Sequence, residues 1–171
     1  MEFLLIIQAR LESTRFPGKV LQLVNGRTIL KRVWDAAKGS SADKVIVAWP
    51  ERYPDLDQND VRERFRRISH EFPSKYVIRI TSDCPLLTSD VIDQAIRAFK
   101  YGKLTYYDNR DIYPDGFDVQ IFTTFMLHRN YATHKEHVIQ PQKHLTDDKF
   151  LSVDTKEDLE RVRAYARFEL R

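Results

Sequence analysis

Short apolar runs and helical apolar repeats alternate along the chain. Three mainly apolar runs predict strands, and after each run the apolar side chains recur every three or four residues, as in an amphipathic helix. The strands are predicted over residues 3–8, 44–49 and 76–81, and the helices over residues 29–39, 61–72 and 91–99. This alternation is typical of an α/β protein.

The second half of the chain continues the alternation with shorter elements. Residues 104–107, 118–123 and 150–153 are predicted strands, with a turn at 114–116. Thr155 and Asp158 have the spacing of a capping box, so a closing helix is predicted to begin there. The pattern as a whole predicts one three-layer α/β domain over residues 1–171, with a mainly parallel sheet, helices on both of its faces and a ligand site at the carboxyl ends of its strands.

The composition narrows the class of protein. Hydrophobic residues make up 42% and charged residues 31% of the 171 residues, a balance that argues against disorder. The formal net charge of +3 is too small to predict a nucleic-acid partner by itself. Cys84 is the single cysteine, which excludes an internal disulfide. The first apolar run is short and lacks a basic leader, so we expect a cytoplasmic protein with neither a signal peptide nor a membrane span.

A basic loop follows the first predicted strand. Arg10, Arg15 and Lys19 place three positive charges on this short segment. Like charges at such spacing repel one another unless an anion lies among them, so the loop is a candidate binding site for a polyphosphate. A solvated turn is the alternative interpretation. The loop is not a Walker sequence, because Gly18 and Lys19 are followed by Val20, and this argues against kinases and ATPases.

Two carboxylates follow other predicted strands. Asp83 comes after the strand that ends at Thr81, and Asp154 comes after the strand that ends at Val153. If these strands are parallel, both carboxylates face the basic loop and form a candidate Mg²⁺ site, since Mg²⁺ takes oxygen ligands from carboxylates and phosphates. The predicted chemistry is attack on a nucleotide phosphate with pyrophosphate as the leaving group. Alternatively, Asp83 caps a turn and Asp154 supports the following helix.

Several blocks of the chain resemble one family of enzymes. The blocks are IIQARLESTRFPGK (6–19), RITSDCPLL (79–87), YPDGFDV (113–119), KEHV (135–138) and LSVDTKEDL (151–159). They are similar to the acylneuraminate and KDO cytidylyltransferases, most closely to the branch named for spore coat polysaccharide biosynthesis protein F. The resemblance implies a three-layer, nucleotide-diphospho-sugar-transferase-like (GT-A, Rossmann-like) α/β fold with a mixed, mainly parallel sheet. It also implies that CTP and a sugar acid react to give a CMP-sugar and pyrophosphate, with Mg²⁺ as cofactor.

The resemblance also implies roles for individual residues. The nucleotide would be bound by Ala9, Arg10, Ser13, Arg15, Lys19 and Asp83. Among these, Arg10, Lys19 and Asp83 would be catalytic, and Asp83 and Asp154 would hold the metal. The sugar side would be formed by Asp115, Asp118, Glu136 and His137. Asp115 is equally compatible with a tight turn, and His137 with a packed histidine.

The chain is shorter than the family between Ala48 and Asp60, where the family has an extra helix and strand. The loss of this unit predicts either a loss of base recognition or an open sheet edge, and an open edge favours a homodimer. It also keeps open a catalytically degraded homologue that binds nucleotide or a partner without turnover. A nucleic-acid module based on residues 62–67 is a further alternative, but this run is more simply the solvated face of an amphipathic helix. The aromatic residues Tyr106, Tyr107, Tyr113 and Phe117 are expected mainly to pack in or around the core.

Overall fold

A mixed five-stranded sheet with the strand order β4–β1–β5–β7–β6 organises the protein. The structure is a computed structural model, and it describes residues 1–10, 13, 15–57, 59–129, 138 and 152–166. The strands of this sheet are β1 (Phe3–Gln8), β4 (Lys44–Ala48), β5 (Tyr76–Thr81), β6 (Tyr106–Asp108) and β7 (Gln120–Thr123). A separate two-stranded ribbon pairs β2 (Leu23–Val24) with β3 (Arg27–Thr28).

Helices cover both faces of the sheet. Their bounds are α1 (Ile29–Gly39), α2 (Val61–Glu71), α3 (Ser89–Tyr101), α4 (Thr124–His128) and α5 (Lys156–Ala166). Apolar residues of α1 and α3 pack on one face, and those of α2 and α4 pack on the other. The α5 helix belongs to a third apolar cluster beside the β2–β3 ribbon. The three-layer α/β prediction is therefore confirmed.

The central strand β1 shows why an uninterrupted apolar run was needed. Leu5 and Ile7 lie in the core beneath α1 and α3, whereas Leu4 and Ile6 lie in the core beneath α2 and α4. All four are fully buried, and each such burial contributes about 1.5–3 kcal/mol. A strand that is covered on both faces cannot alternate apolar and polar residues, so its sequence is apolar throughout.

The strand directions bring several loops to one edge of the sheet. Strands β4, β1 and β5 are parallel, β7 is antiparallel to β5, and β6 is antiparallel to β7. Because β7 runs in the opposite direction, its start lies at the same edge as the ends of β1, β5 and β6. Residues that follow β1 and β5, and residues that precede β7, therefore meet at this edge.

Most predicted elements are observed, and a few differ. The second strand ends at Ala48, before Pro50, and β7 begins at Gln120. The β2–β3 ribbon turns at Asn25 and Gly26, which have φ angles of 48° and 73°; this is the Asn-Gly hairpin turn, and it was not predicted. The short helix α4 was also not predicted.

The last predicted strand, over residues 150–153, is wrong where the structure describes it. Ser152 and Val153 do not lie in a strand, although the Val153 N–H donates a hydrogen bond of 2.8 Å to the carbonyl of Asp83. Phe150 and Leu151 lie outside the described residues. The capping box is confirmed, since Thr155 Oγ1 accepts from the Asp158 N–H at 3.2 Å and Asp158 Oδ2 accepts from the Thr155 N–H at 2.9 Å.

The β4 strand is one edge of the sheet, with β1 as its neighbour. This matches the open edge that was expected from the short segment after Ala48. A homodimer stays a prediction. In the part of the chain that the structure describes, no helix combines the length and the apolar character needed to cross a membrane.

Candidate active site

A cavity of about 450 Å³ opens at the edge of the sheet where β1 and β5 end. Its walls come from the loop after β1, the start of α2, the loop after β5, the loop before β7 and the start of α5. The lining side chains include Ala9, Arg10, Arg15, Lys19, Asp83, Asp115, Asp118 and Asp154, which are eight of the predicted site residues. The sequence prediction that these segments converge is therefore met by the geometry.

Lys19 lies at the centre of the cavity between two carboxylates. Its Nζ is 2.7 Å from Asp83 Oδ2 and 2.8 Å from Asp154 Oδ1, and only 7% of its side chain is exposed. Burial disfavours the charge of Lys19, but the two carboxylates outweigh burial and raise the pKa of Lys19. Burial likewise opposes the charge of Asp83, but Lys19 outweighs it and lowers the pKa of Asp83. Both partners are therefore charged at neutral pH.

The surrounding backbone fixes the positions of these three side chains. Gly18 has a φ of 68°, a left-handed conformation that suits glycine, and it leads into a short turn of 3-10 helix that begins at Lys19. The hydrogen bond from Val153 to Asp83 ties the two acidic segments together. Asp158 Oδ2 also accepts from the Asp154 N–H at 3.1 Å, so the cap of α5 positions the second carboxylate.

The remaining predicted nucleotide-binding residues differ in their positions. Arg10 is exposed and lines the cavity. Arg15 lines it as well, and one of its terminal nitrogens is 2.9 Å from Asp154 Oδ2. Ser13 is buried and is not part of the cavity lining; its Oγ accepts a hydrogen bond of 3.4 Å from the Phe16 N–H. In this arrangement Ser13 stabilises the turn, and its contact with a nucleotide stays a prediction.

The predicted sugar side is formed by the loop between β6 and β7. Asn109, which is buried, holds this loop because its side chain donates to the Phe117 carbonyl at 2.8 Å and accepts from the Val119 N–H at 2.7 Å. Asp115 accepts a hydrogen bond from Ser152 Oγ. Burial, followed by the nearby charge of Asp115, raises the pKa of Asp118 to about 7. Glu136 and His137 lie outside the described residues.

A partly buried polar network forms the floor of the cavity across four strands. Arg79 on β5 donates to Gln8 Oε1 on β1 and to Gln120 Oε1 on β7, at 2.8 Å in each case. Gln120 Nε2 donates to Asp108 Oδ2 at 2.8 Å, and Asp108 accepts two hydrogen bonds of 2.9 Å from Arg110 Nε. Arg79 and Arg110 both line the cavity. The network thus presents two oriented guanidinium groups to a bound ligand.

Sequence reasoning missed Arg79, Arg110 and Arg64 as cavity residues. Arg64 was expected on the solvated face of α2, but it is 1% exposed and lines the cavity. The sequence does contain a signal that Arg64 is buried: it lies three residues after Val61 and four before Ile68, within the apolar stripe of the helix. The aromatic prediction agrees with the structure, since all four side chains pack against the two apolar clusters of the sheet faces.

The donor groups of the cavity fit a divalent cation bound together with phosphate. One carboxylate oxygen of Asp83 and one of Asp154 both contact Lys19 Nζ, so the two carboxylates face the same position. Carboxylate oxygens are hard ligands of the kind that Mg²⁺ prefers. Within the described ranges, no cluster of three or more His, Cys, Asp or Glu side chains could hold a metal ion. Phosphate oxygens and water would therefore have to complete the coordination, as is usual for Mg²⁺.

The charge of the cavity suits a polyanion. Six cationic and four acidic side chains line it, so the cavity is net positive in a chain with a net charge of +3. A smaller cavity of about 340 Å³ adjoins it and shares Arg15, Asp115 and Asp154 as lining residues. Because the two cavities share acidic and basic side chains at their boundary, they can hold two ligands side by side.

Comparison with known proteins gives matches to cytidylyltransferases. A family model described as Cytidylyltransferase matches residues 4–50. The 3-deoxy-manno-octulosonate cytidylyltransferase of Pseudomonas fluorescens Pf-5 is 31% identical over 109 residues, which are 54% of this chain and 43% of that protein. The chain thus spans less than half the length of this curated relative.

Solved structures of low sequence identity share the fold. A cytidylyltransferase from Leptospira borgpetersenii superposes with a TM-score of 0.82 and 23% identity, covering 98% of this chain and 87% of that chain. A CMP:2-keto-3-deoxy-manno-octonic acid synthetase complexed with CTP has a TM-score of 0.69 and 16% identity, with 99% and 100% covered. The manganese complex of Rv0371C from Mycobacterium tuberculosis H37Rv has a TM-score of 0.62 and 16% identity, with 96% and 99% covered.

These comparisons do not test the spore coat polysaccharide branch, which stays a prediction. The convergence of the basic loop with Asp83 and Asp154 is the arrangement that was expected from their positions after predicted strands. The family model over residues 4–50 and the curated relatives, which match about half of the chain, show that the chain is similar in sequence to the cytidylyltransferases.

Proposed function

We propose that the protein transfers a cytidylyl group from CTP to a sugar acid and releases pyrophosphate. The observation that carries this proposal is the position of Lys19 between Asp83 and Asp154 in a net positive cavity. A triphosphate needs cationic side chains to hold it, and a phosphoryl-transfer site needs carboxylates that can share a divalent cation with it. This cavity supplies both.

The reaction is a substitution at the α-phosphate of CTP. A hydroxyl oxygen of the sugar acid forms the new bond to phosphorus, the bond to the β-phosphate breaks, and the hydroxyl proton passes to solvent. Lys19 and Arg10 are the proposed groups that hold the phosphates and offset the charge that develops on them. Asp83 keeps Lys19 charged and directed into the cavity through their 2.7 Å contact.

Mg²⁺ is the proposed cofactor, with Asp83 and Asp154 as its protein ligands. When bound, the ion would act as a Lewis acid on the phosphates. The capping box of α5 supports this role, because it fixes the backbone of Asp154. The related structure in complex with manganese supports a divalent cation in this fold.

The sugar acid is proposed to bind on the side of Asp115 and Asp118. Asp115 borders both the large cavity and the adjoining smaller one, so a sugar in the smaller cavity can reach the centre of the larger one. The name of the Pseudomonas relative supports 3-deoxy-manno-octulosonate or a similar sugar acid as the acceptor. A role in the synthesis of surface or spore-coat polysaccharide is also proposed, because the sequence resembles the branch named for spore coat polysaccharide biosynthesis protein F.

The proposed function is tested by measuring pyrophosphate release. The purified chain is incubated with Mg²⁺, each of the four common nucleoside triphosphates, and 3-deoxy-manno-octulosonate or other sugar acids. We expect release with CTP and one sugar acid, and none when either substrate is omitted. Tight CTP binding without turnover for every acceptor would instead support the degraded homologue.

A further inference from the structure

The β4 strand forms one edge of the sheet and is paired on one side. Within the described part of the chain, β1 is the strand that neighbours it, in an unbroken register of five residues. The described backbone hydrogen bonds outside this pairing involve no residue of β4. On its other side, the strand therefore presents main-chain donors and acceptors that can pair with another strand.

The middle of β4 lacks the features that usually protect an edge strand. Natural edges are blunted by prolines, bulges, charged side chains or very short strands. The one charged side chain of β4, Lys44, lies at its start, with Nζ 4.6 Å from the centre of the Phe72 ring. Pro50 comes after the strand has ended. The central residues of β4 are therefore suited to pairing with a second strand.

Apolar side chains flank this edge on both faces of the sheet. Val45 and Val47 contact the core beneath α1 and α3, whereas Ile46 contacts the core beneath α2 and α4. Val45 is buried, but Ile46 and Val47 are only partly buried. A strand added beside β4 would cover the exposed parts of these two side chains, and the burial of apolar surface would stabilise the pairing.

The sequence of β4 is self-complementary in antiparallel pairing. A two-fold axis at Ile46 places Val45 of each copy opposite Val47 of the other. The same register places Lys44 opposite Ala48. Apolar side chains of similar size thus meet on both faces of the sheet, and no charge lies opposite a like charge. The partner that fits this edge is therefore a second copy of the chain.

The charges at the two ends of β4 are complementary in the same arrangement. Antiparallel pairing brings the start of β4 in one copy towards the turn that follows β4 in the other. The start carries Lys44, and the turn, Pro50–Arg52, carries Glu51. Arg52 of this turn is already paired with Glu71. The lysine of each copy therefore approaches an acidic side chain of the other.

We infer that the protein forms a two-fold symmetric homodimer through antiparallel pairing of β4 with β4 of a second copy, so that one sheet continues across both copies. A two-fold interface needs a self-complementary surface, which β4 provides. The other edge strand, β6, has three residues and offers less main chain. No residue of β4 lines the cavity, so this surface is distinct from the candidate active site and the inference does not depend on the proposed function.

The position of Ile46 on the two-fold axis allows a charge-exchange test. Sedimentation velocity over a concentration series gives the dimer dissociation constant of the wild-type chain, of Ile46→Glu, of Ile46→Lys and of an equimolar mixture of the two variants. Leu104→Glu is the matched control, because Leu104 is an exposed apolar residue beside the other edge strand. Circular dichroism shows whether each variant is folded.

We expect the wild-type chain and Leu104→Glu to form dimers. Each Ile46 variant alone should weaken the dimer by at least about tenfold, because like charges then face each other across the axis. The equimolar mixture should restore the dimer, because opposite charges then face each other. A monomeric wild-type chain, or a dimer that both folded Ile46 variants retain, would overturn the inference.

A cross-link tests the same register without a charged residue, and it decides if the Ile46 variants do not fold or their mixture does not restore the dimer. Directly opposite residues of antiparallel strands have Cα atoms about 4.5–5.5 Å apart, which is within the range of about 4.4–6.8 Å for a disulfide. With an added oxidant, Ile46→Cys should form a covalent dimer, and Leu104→Cys should not. The native Cys84 is buried. Absence of the Ile46→Cys cross-link, or an equal yield from Leu104→Cys, would overturn the inference.

Discussion

The ammonium of Lys19 lies 2.7 Å from Oδ2 of Asp83, although 64 residues of sequence separate the two. The same nitrogen is 2.8 Å from Asp154 Oδ1. Lys19 is thus the counter-ion of both carboxylates. A divalent cation that binds to these carboxylates has to compete with the ammonium, and phosphates that attract Lys19 assist this exchange. Metal binding and nucleotide binding are therefore expected to be coupled.

Replacing Lys19 with methionine should uncouple metal binding from nucleotide binding. Without the ammonium, Asp83 and Asp154 repel each other and attract a free divalent cation. We expect Mg²⁺ or Mn²⁺ alone to bind about tenfold more tightly than to the wild-type chain, and CTP to bind at least about tenfold more weakly, both measured by titration calorimetry. Lys31→Met is the control, because Lys31 is exposed and pairs with Asp35 on α1. Unchanged metal affinity in Lys19→Met would show that the carboxylates are not a metal site.

Asp118 should make the stability of the protein depend on pH. Its pKa of about 7 in the folded protein exceeds the value of about 3.9 expected in the unfolded chain. The folded state then holds the proton more tightly, so the carboxyl destabilises the fold progressively as the pH rises from about 4 to above 7. The neighbouring charges are those of Asp115, Arg110, Arg79 and Asp108.

Asp118→Asn should therefore raise Tm more at pH 8 than at pH 5. A gain of about 1 kcal/mol corresponds to about 2–4 °C in a protein of this size, and we expect a difference of at least that much between the two pH values. Thermal unfolding followed by circular dichroism measures it. Asp111→Asn, an exposed carboxylate of the same loop, should show no such difference. An equal shift at both pH values would mean that the carboxyl of Asp118 titrates normally.

Arg79 should be essential to the floor of the cavity. Its two 2.8 Å hydrogen bonds join β1 to β7 through Gln8 and Gln120, and a lysine cannot span both amides because it lacks the planar fork of guanidinium. We expect Arg79→Lys to lower the free energy of unfolding by about 1–3 kcal/mol, since a buried polar group loses its partner. Urea unfolding measures this change. Arg97→Lys, at an exposed position of α3, should have no effect, and a stable Arg79→Lys would contradict the assigned network.

The cap of α5 should contribute both to stability and to the site. Thr155→Ala removes the acceptor of the Asp158 N–H, and loss of such a cap costs about 1 kcal/mol. Because Asp158 also accepts from the Asp154 N–H, we expect weaker CTP binding in the presence of Mg²⁺ as well as a lower urea midpoint. A lower midpoint with unchanged CTP affinity would show that the cap does not position Asp154.

How far the sequence predicts the structure depends on which interactions decide each element. The strands β1 and β5 have the predicted bounds, because both contribute apolar residues to the cores on the two faces of the sheet. The strand expected over residues 150–153 depended on a short apolar run, whereas Val153 is held by one backbone contact with Asp83. Local apolar pattern does not distinguish these two situations.

The candidate site likewise contains residues that the sequence predicts and residues that it does not. Asp83 was predicted from the end of β5, and the parallel order of β1 and β5 brings it to Lys19. Asp154 was predicted from a strand end that is not observed, and the hydrogen bond from Val153 to Asp83 brings its segment to the same place. Arg64 and Arg79 were missed because their roles depend on burial, and a basic residue in a helix or strand is assigned to the surface by default. In the folded protein, these two arginines line the cavity instead.

The central claim is that Asp83 belongs to a cytidylyltransferase centre, and pyrophosphate release tests it most directly. The wild-type chain and Asp83→Asn are assayed with CTP, Mg²⁺ and the sugar acid that gives turnover, and CTP binding is measured in parallel. The account predicts steady release by the wild type and a loss of at least about a hundredfold in Asp83→Asn. Absence of release with every nucleotide and sugar pair, together with unchanged CTP binding in Asp83→Asn, would contradict it.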